Sequence, residues 1–293
     1  MVPVIDVPLA DLFLNVYVWI DDACRDGHLI IPARPGPVPA CSDTELLAIA
    51  VVRHLLARPS ESAFFREVRR DWSHYFPYLP VQSEVNRRLR WLWGAFEQLR
   101  QLALDTLPPD GWQQIDTTAL PVTHPSRVRG PDSWVGPADL VAGFGWDAAH
   151  HEWFYGFRLA LRTDLDSRLV RSWGIVPAAV DERAVADGLL AERLLDGLLL
   201  DGGFQGKIWA EGYRAQGMHV VRTPTRQERR QLSPAMLRPI AVFRHRIETT
   251  NDEVTEQLGL VRHHAKTFWG LLTRTAICLL AHTLLRLARV QST

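Results

Sequence analysis

Three acids far apart in the chain, Asp116, Asp201 and Glu248, stand where a carboxylate needs a chemical reason. Asp116 lies inside Trp112-Gln113-Gln114-Ile115-Asp116-Thr117-Thr118-Ala119-Leu120-Pro121-Val122. This run has β-branched residues within it, Pro108-Pro109-Asp110-Gly111 before it and Pro125 after it, so it reads as a strand. Strand interiors are poor in Asp because its side chain competes for backbone hydrogen bonds, which leaves a site residue or an edge residue facing water. Asp201 ends the apolar run Leu198-Leu199-Leu200 just before Gly202-Gly203, and Glu248 falls in an arginine-rich helical stretch. Separations of 85 and 47 residues put the three on different elements. Carboxylates converging from separate elements suit a pair of hard cations about 4 Å apart that cleave a phosphodiester, one generating the nucleophile and one stabilising the leaving oxygen. Two Mg²⁺ ions fit such ligands, with Mn²⁺ as a substitute more tolerant of mixed donors.

Each acid has a rival: Asp196 near Asp201, and Glu253 and Glu256 near Glu248. Asp201 is preferred for its position at a strand end. Glu248 is preferred because Arg244 precedes it by one helical turn, where a guanidinium can hold a phosphate or orient the carboxylate; a surface ion pair is the plainer alternative. His245 is expected to face solvent or phosphate rather than a hard cation.

These acids must be positioned by the rest of the chain, which has 293 residues, is 47% hydrophobic and contains 11 Trp, enough to bury a large core. Basic and acidic residues balance at 33 each, but 222–246 carries seven Arg against one Glu. Lys207 and Lys266 are the only lysines, so nearly all positive charge is guanidinium, suited to bidentate phosphate contact or simply the product of a GC-rich coding sequence. Cys24, Cys41 and Cys278 have neither CxxC spacing nor an even count, which excludes a sequence-encoded zinc or disulfide framework and points to a reducing compartment. The N-terminus lacks a basic signal region, and the apolar run 275–290 is broken by His282, Arg286 and Arg289. The expectation is therefore a cytoplasmic protein with no membrane partner.

In chain order, a docking helix fits 8–24, Ser42-Asp43-Thr44-Glu45 reads as a capping box, and short helices fit the stretches after Ser42 and over 60–72. Ser83 is expected to cap a longer helix with Val85, Leu89, Leu92, Phe96 and Leu99 inward, leaving Arg87, Arg88 and Arg90 exposed near its start. Residues 1–107 thus read as an all-α, helix-turn-helix-like DNA-binding domain, or as an accessory domain with solvated arginines. From 108 to 293 the pattern is α/β: strands at Trp112–Val122, Trp153–Arg162, Leu169–Val176, Leu198–Leu200 and Met218–Arg222, a hairpin turn at 163–167, and helices near 181–196, 205–215 and 239–259. The glycine-rich segment 126–147 reads as an irregular excursion.

The chain resembles the DDE transposases of bacterial insertion sequences, most closely the insertion-sequence-982 group, over nearly its whole length. The resemblance rests on the order and spacing of Ser42–Leu47, Phe76-Pro77-Tyr78-Leu79-Pro80, Ile115-Asp116-Thr117-Thr118, Phe154–Leu159, Asp181-Glu182-Arg183, Leu200-Asp201-Gly202-Gly203-Phe204 and Arg246–Asp252. It implies a ribonuclease-H-like domain with a mixed five-stranded sheet flanked by helices, and Asp116, Asp201 and Glu248 as the metal-binding catalytic triad. It further implies double-stranded DNA as partner, at terminal inverted repeats and target, with a homodimer in the synaptic complex. The reaction implied is cleavage by activated water followed by attack of a 3′-hydroxyl. Against the Tyr-x2-Arg-x3-Glu-x6-Lys signature, Arg244 and Glu248 fit while Ala241 and Thr255 occupy the outer positions. The Gly-x-Lys-x-His pattern appears as Gly156-Phe157-Arg158-Leu159-Ala160, keeping a cation at Arg158. Arg158, Arg244 and Arg246 join Arg87, Arg88 and Arg90 as expected DNA contacts. A degenerate copy that binds its ends without cutting, or a two-metal nuclease without strand transfer, are the alternative readings.

Overall fold

The computed structural model describes residues 7–130, 134–147, 150–190, 195–200, 207–224 and 226–291. Two compact units share the chain. One comprises Met1–Leu107, Val254–Ala265 and Trp269–Thr293; the other comprises Pro108–Glu253 with Lys266–Phe268.

The first unit begins with α1 (Leu9–Arg25), α2 (Asp43–Leu55), α3 (Glu61–Asp71), α4 (Gln82–Trp91) and α5 (Trp93–Leu104). The capping box forms as the sequence suggests: Ser42 Oγ accepts from the Glu45 amide at 3.1 Å, and Glu45 Oε2 accepts from the Ser42 amide at 2.5 Å. Every residue from Leu46 to Leu55 of α2 is buried, including Arg53 and His54, so α2 is the central helix of this unit rather than one with a single apolar stripe. The expected long helix capped by Ser83 is instead two helices broken at Leu92. Ser83 lies inside the first turn of α4, whose N-cap, Val81, makes no side-chain bond. Val85, Leu89, Leu92, Phe96 and Leu99 are all buried. A kink of one residue leaves their spacing intact, and so the periodicity did not reveal it.

The second unit is built on β1 (Trp112–Thr123), β2 (Gly143–Asp147), β3 (Glu152–Asp164), β4 (Val170–Pro177), α6 (Glu182–Leu190), β5 (Gly197–Leu200), α7 (Lys207–Ala215), β6 (His219–Arg222), α8 (Arg226–Arg229) and α9 (Pro234–Asp252). Its sheet has six strands in the order β2-β3-β1-β5-β6, with β4 also paired to β3. The pairings β1–β3, β2–β3 and β3–β4 are antiparallel, and β1–β5 and β5–β6 are parallel. The strand missing from the five expected is β2, inside the supposed irregular excursion. Its sequence Gly-Phe-Gly-Trp-Asp has too few β-branched residues to announce a strand. It pairs with residues 152–156 of β3 while β4 pairs with 157–163, so both share one edge of the long β3. Gly156 is required where β3 crosses β1, because a Cβ there would collide with the Leu120 carbonyl oxygen.

All four residues of β5 are buried, as befits a central parallel strand. One core cluster of this unit joins Ile115, Leu198, Leu200 and Val220 from the sheet to Ala186 and Leu190 of α6, with Trp209 and Tyr213 of α7 packed against it. At the β3–β4 turn, buried Asp164 accepts from Arg171 Nε, Gln113 Nε2 and Ser167 Oγ. Burial pushes its carboxyl above the usual range although Arg171 and Ser167 pull the other way.

The last helix, α10 (Phe268–Gln291), follows a π-helical turn at Glu253–Gln257 that extends α9. Residues 254–265 and 269–293, which the sequence reading groups with the catalytic domain, cluster by contacts with the helices of 1–107. The physical reason is α10's apolar composition, which needs a core: Leu271, Ala276, Leu279, Leu280 and Ala281 are fully buried. By length and composition α10 could cross a bilayer, but 72% of its apolar window is buried inside the protein.

Candidate active site

Asp116 sits in the middle of β1, partly buried, opposite Leu161 of β3. Its Oδ1 accepts from the Thr117 amide at 2.8 Å and its Oδ2 accepts from Asn251 Nδ2 at 2.6 Å. Asn251 lies on α9 three residues after Glu248, so the two share one helical face and the Asn251 bond ties the Glu248 helix to the Asp116 strand. Glu248 itself is exposed. On the other side of β1, the parallel register with β5 runs from Trp112–Gly197 to Ile115–Leu200, ending one residue before Asp116 and one before Asp201. Asp201 and the Gly202-Gly203-Phe204 that follows lie outside the described residues.

The rival acids are placed elsewhere. Asp196 hydrogen-bonds through its amide to the Gly111 carbonyl, at the start of β1. Four strand residues from Trp112 to Asp116 span about 13 Å, so Asp196 stands at the wrong end of the sheet to share a cation with Asp116. Glu253 is buried and held by Arg168 at 2.8 Å. Glu256 is exposed in the helical unit.

Three of the six expected DNA-contacting arginines, Arg88, Arg158 and Arg246, bond to other parts of the fold. Arg88 is 2% exposed and donates to Asp43 Oδ1 from Nη2 at 2.6 Å and from Nε at 3.2 Å; Asp43 also accepts from Arg34 at 2.7–2.8 Å. Expectation and structure differ here because Arg88, three residues after Val85 and four before Leu92, lies on the buried face of α4, where a charge needs a partner, and Asp43, 45 positions earlier, cannot be foreseen as that partner. Arg87 is exposed and forks onto Glu84, and Arg90 is exposed. Arg158 donates from Nη2 to the Trp146 carbonyl at 2.6 Å and from Nε to the Ala178 carbonyl at 2.9 Å, and its guanidinium lies 5.4 Å from the Phe154 ring centre. It ties together the two short strands that share the edge of β3. Arg246 bonds the Leu165 carbonyl at 3.0 Å and Asp166 at 2.8 Å, fixing α9 to the β3–β4 turn. The Arg244 side chain lies outside the described residues, and His245 is exposed.

Asn251 was missed. The clue available in the sequence was its place one turn after Glu248, where a side chain covers the same surface.

The donors fit a hard divalent cation in kind. A half-buried carboxylate on β1 and an exposed carboxylate on the adjoining α9 both offer oxygen. Among the described residues, no three or more His, Cys, Asp or Glu side chains gather as a metal site.

The second unit thus carries one acid in the middle of a mixed sheet and another on the helix tied to that strand. Residues 114–284 match the sequence model described as the transposase DDE domain. The match covers more than half of the 293 residues, and the chain belongs to that family of transposases. A comparison with curated proteins gives no match. Among solved structures, a cryo-EM structure of the piggyBac transposase synaptic complex with hairpin DNA aligns over 78% of this chain at 12% identity, with a TM-score of 0.37. The chain spans about half (51%) of the length of that solved chain.

Proposed function

We propose that this transposase cuts DNA at the ends of an insertion sequence and joins them to target DNA, with Asp116, Asp201 and Glu248 as the catalytic carboxylates. The observation that carries the reading is the Asp116–Asn251 bond, which sets the Glu248 helix against the Asp116 strand. The β1–β5 register supports it further, since its last pair, Ile115–Leu200, stands one residue before Asp116 in one strand and directly precedes position 201 in the sequence of the other. The strand order, with β3 antiparallel to β1 on one side and carrying β2 and β4 on its far edge, and β5 and β6 parallel on the other, supports a ribonuclease-H-like sheet. The motifs from Ser42 to Asp252 favour the insertion-sequence-982 group of bacterial transposases within the family.

Asp116, Asp201 and Glu248 would hold Mg²⁺, two ions in this reading, with Mn²⁺ able to substitute. When bound, the ions lower the pKa of an attacking water and neutralise charge on the leaving oxygen. The chain's own contribution is orientation. Asn251 and the Thr117 amide fix the Asp116 carboxylate, and Arg246 fixes the start of the Glu248 turn through Asp166. Double-stranded DNA at terminal repeats and target, a homodimeric synaptic complex and a cytoplasmic, nucleoid-associated location belong to the same proposal.

The test compares the full chain with its Asp116→Asn and Asp201→Asn variants on a plasmid carrying the gene's own flanking DNA, with Mg²⁺. Each substitution keeps size and removes the charge a divalent cation requires, so cutting and joining should fall by orders of magnitude while gel-shift binding persists. Wild-type binding without metal-dependent cutting would favour a repurposed DNA-binding protein instead.

A further inference from the structure

The helical unit encloses a cavity of about 170 Å³ lined by Arg53, His54, Arg58, Arg262, His263 and Arg274, among others. At roughly 30 Å³ per liquid water, that volume holds a tetrahedral oxyanion with a few waters. Its charge is unevenly compensated. Glu61 Oε2 lies 2.6 Å from Arg274 but 3.9 Å from Arg53, so one carboxylate serves two guanidiniums and sits close to only one of them. Arg53 is 7% exposed, yet its Nε has no hydrogen-bond partner. Nη2 donates to the Pro59 carbonyl at 3.1 Å, and Nη1 faces His54 Nε2 at 3.4 Å. His54 donates through Nδ1 to the Ala50 carbonyl at 2.9 Å, which leaves Nε2 as a neutral acceptor that supplies no negative charge.

Native proteins rarely leave a guanidinium donor buried and unmatched, because the desolvation cost is not recovered. Burial and the neighbouring Arg274 together lower Arg53 to about 10, the behaviour of a cation short of counter-charge. Nearer the mouth, Arg58 faces Glu67 at 3.6 Å, Arg262 is exposed, and Glu256 is the acid on the opposing side. That side is formed by residues 255–257 of the π-helical turn and by Gly259 with φ 72°, an irregular backbone of the kind that recurs at binding sites.

We propose that this cavity is a binding site for a phosphate group, with Arg53 and Arg274 as its inner anchors and Arg262 at its mouth. The missing counter-charge is the anion itself, and guanidinium forks match the oxygens of phosphate. All the residues concerned lie in the helical unit, so the site stands or falls independently of the catalytic carboxylates.

Isothermal titration of the full chain with inorganic phosphate, at constant ionic strength, tests it. The expected result is saturable binding of one phosphate per chain that weakens about tenfold or more in Arg53→Gln, as the loss of one charge-assisted hydrogen bond requires. Should Arg53→Gln fail to fold by circular dichroism, the doubly substituted Arg58→Ala, Arg262→Ala protein decides, since both side chains lie at the solvent-facing rim. Weaker phosphate binding in that protein upholds the site, and unchanged affinity overturns it, as does the absence of saturable binding to wild type. Titration in the presence of a short DNA duplex identifies the source. Displacement of inorganic phosphate assigns the site to a strand phosphodiester and retention assigns it to a free ion, and either upholds phosphate as the ligand.

Discussion

Replacing Arg88 by Met separates a DNA-reading helix from a load-carrying core contact. The guanidinium is 2% exposed and makes two bonds to Asp43 Oδ1, so the substitution deletes a buried charge-assisted pair while keeping most of the side-chain volume. Breaking a buried pair typically costs about 3–5 kcal/mol, because the surviving partner is left charged and unmatched. Here Asp43 keeps both bonds from Arg34 and is not left unmatched, so the cost falls at or just below that range, about 2–3 kcal/mol. For a unit of this size each kcal/mol lowers the melting temperature by about 2–4 °C, giving a fall of roughly 4–12 °C. The assay is thermal unfolding of the full chain followed by circular dichroism at 222 nm, paired with the salt dependence of DNA binding. Arg87→Ala, which removes an exposed side chain forked onto Glu84, serves as the companion variant. The reasoning fails if Arg88→Met melts with wild type while its DNA-binding slope drops by about 0.9 per decade of salt, the signature of a lost phosphate contact.

Asn251→Leu removes the amide that holds Asp116 Oδ2, and metal-dependent cutting should fall by roughly ten- to a hundredfold with DNA binding intact; equal turnover would show that the bond does not position the carboxylate. In Arg158→Ala the bonds to Trp146 and Ala178 disappear, so amide exchange in 143–147 should quicken well before that in β1, and unchanged protection would refute its role in tying β2 to the sheet. His54 is buried and held neutral, its folded pKa far below the ordinary 6.5 through burial and Arg53. The unfolded chain therefore binds the extra proton first, so stability contributed by this group is full above about pH 6.5. It falls by about 1.4 kcal/mol for each pH unit below that, a slope that His54→Gln should abolish in denaturant titrations between pH 5 and 7.

Local chemistry made much of this protein legible from its residues in order. Ser42 and Glu45 lie three apart and meet in a capping box whatever the rest of the chain does, and the apolar run Leu198–Leu200 is a buried strand because no exposed face could tolerate it. The position of Asp116 within a β-prone run was equally plain, since turn residues bracket it on both sides. What the sequence could not decide was anything set by partners distant in the chain. Arg88 looked like a surface cation until Asp43, 45 residues earlier, closed over it. Nor could the order of residues show that Arg158 bonds the Trp146 carbonyl and Arg246 bonds Asp166. A guanidinium reads the same in sequence whether its counter-charge is a nucleic acid or a carboxylate 80 residues away. Strand β2 was hidden because its pairing is imposed by the open edge of β3 rather than by its own β-propensity, and α10 belongs to the helical unit because burial of its apolar faces outweighs its place at the end of the chain. The tie between Asp116 and Asn251 spans 135 residues, a meeting only the tertiary structure brings about, because it depends on how α9 packs against β1 and not on the type of either residue.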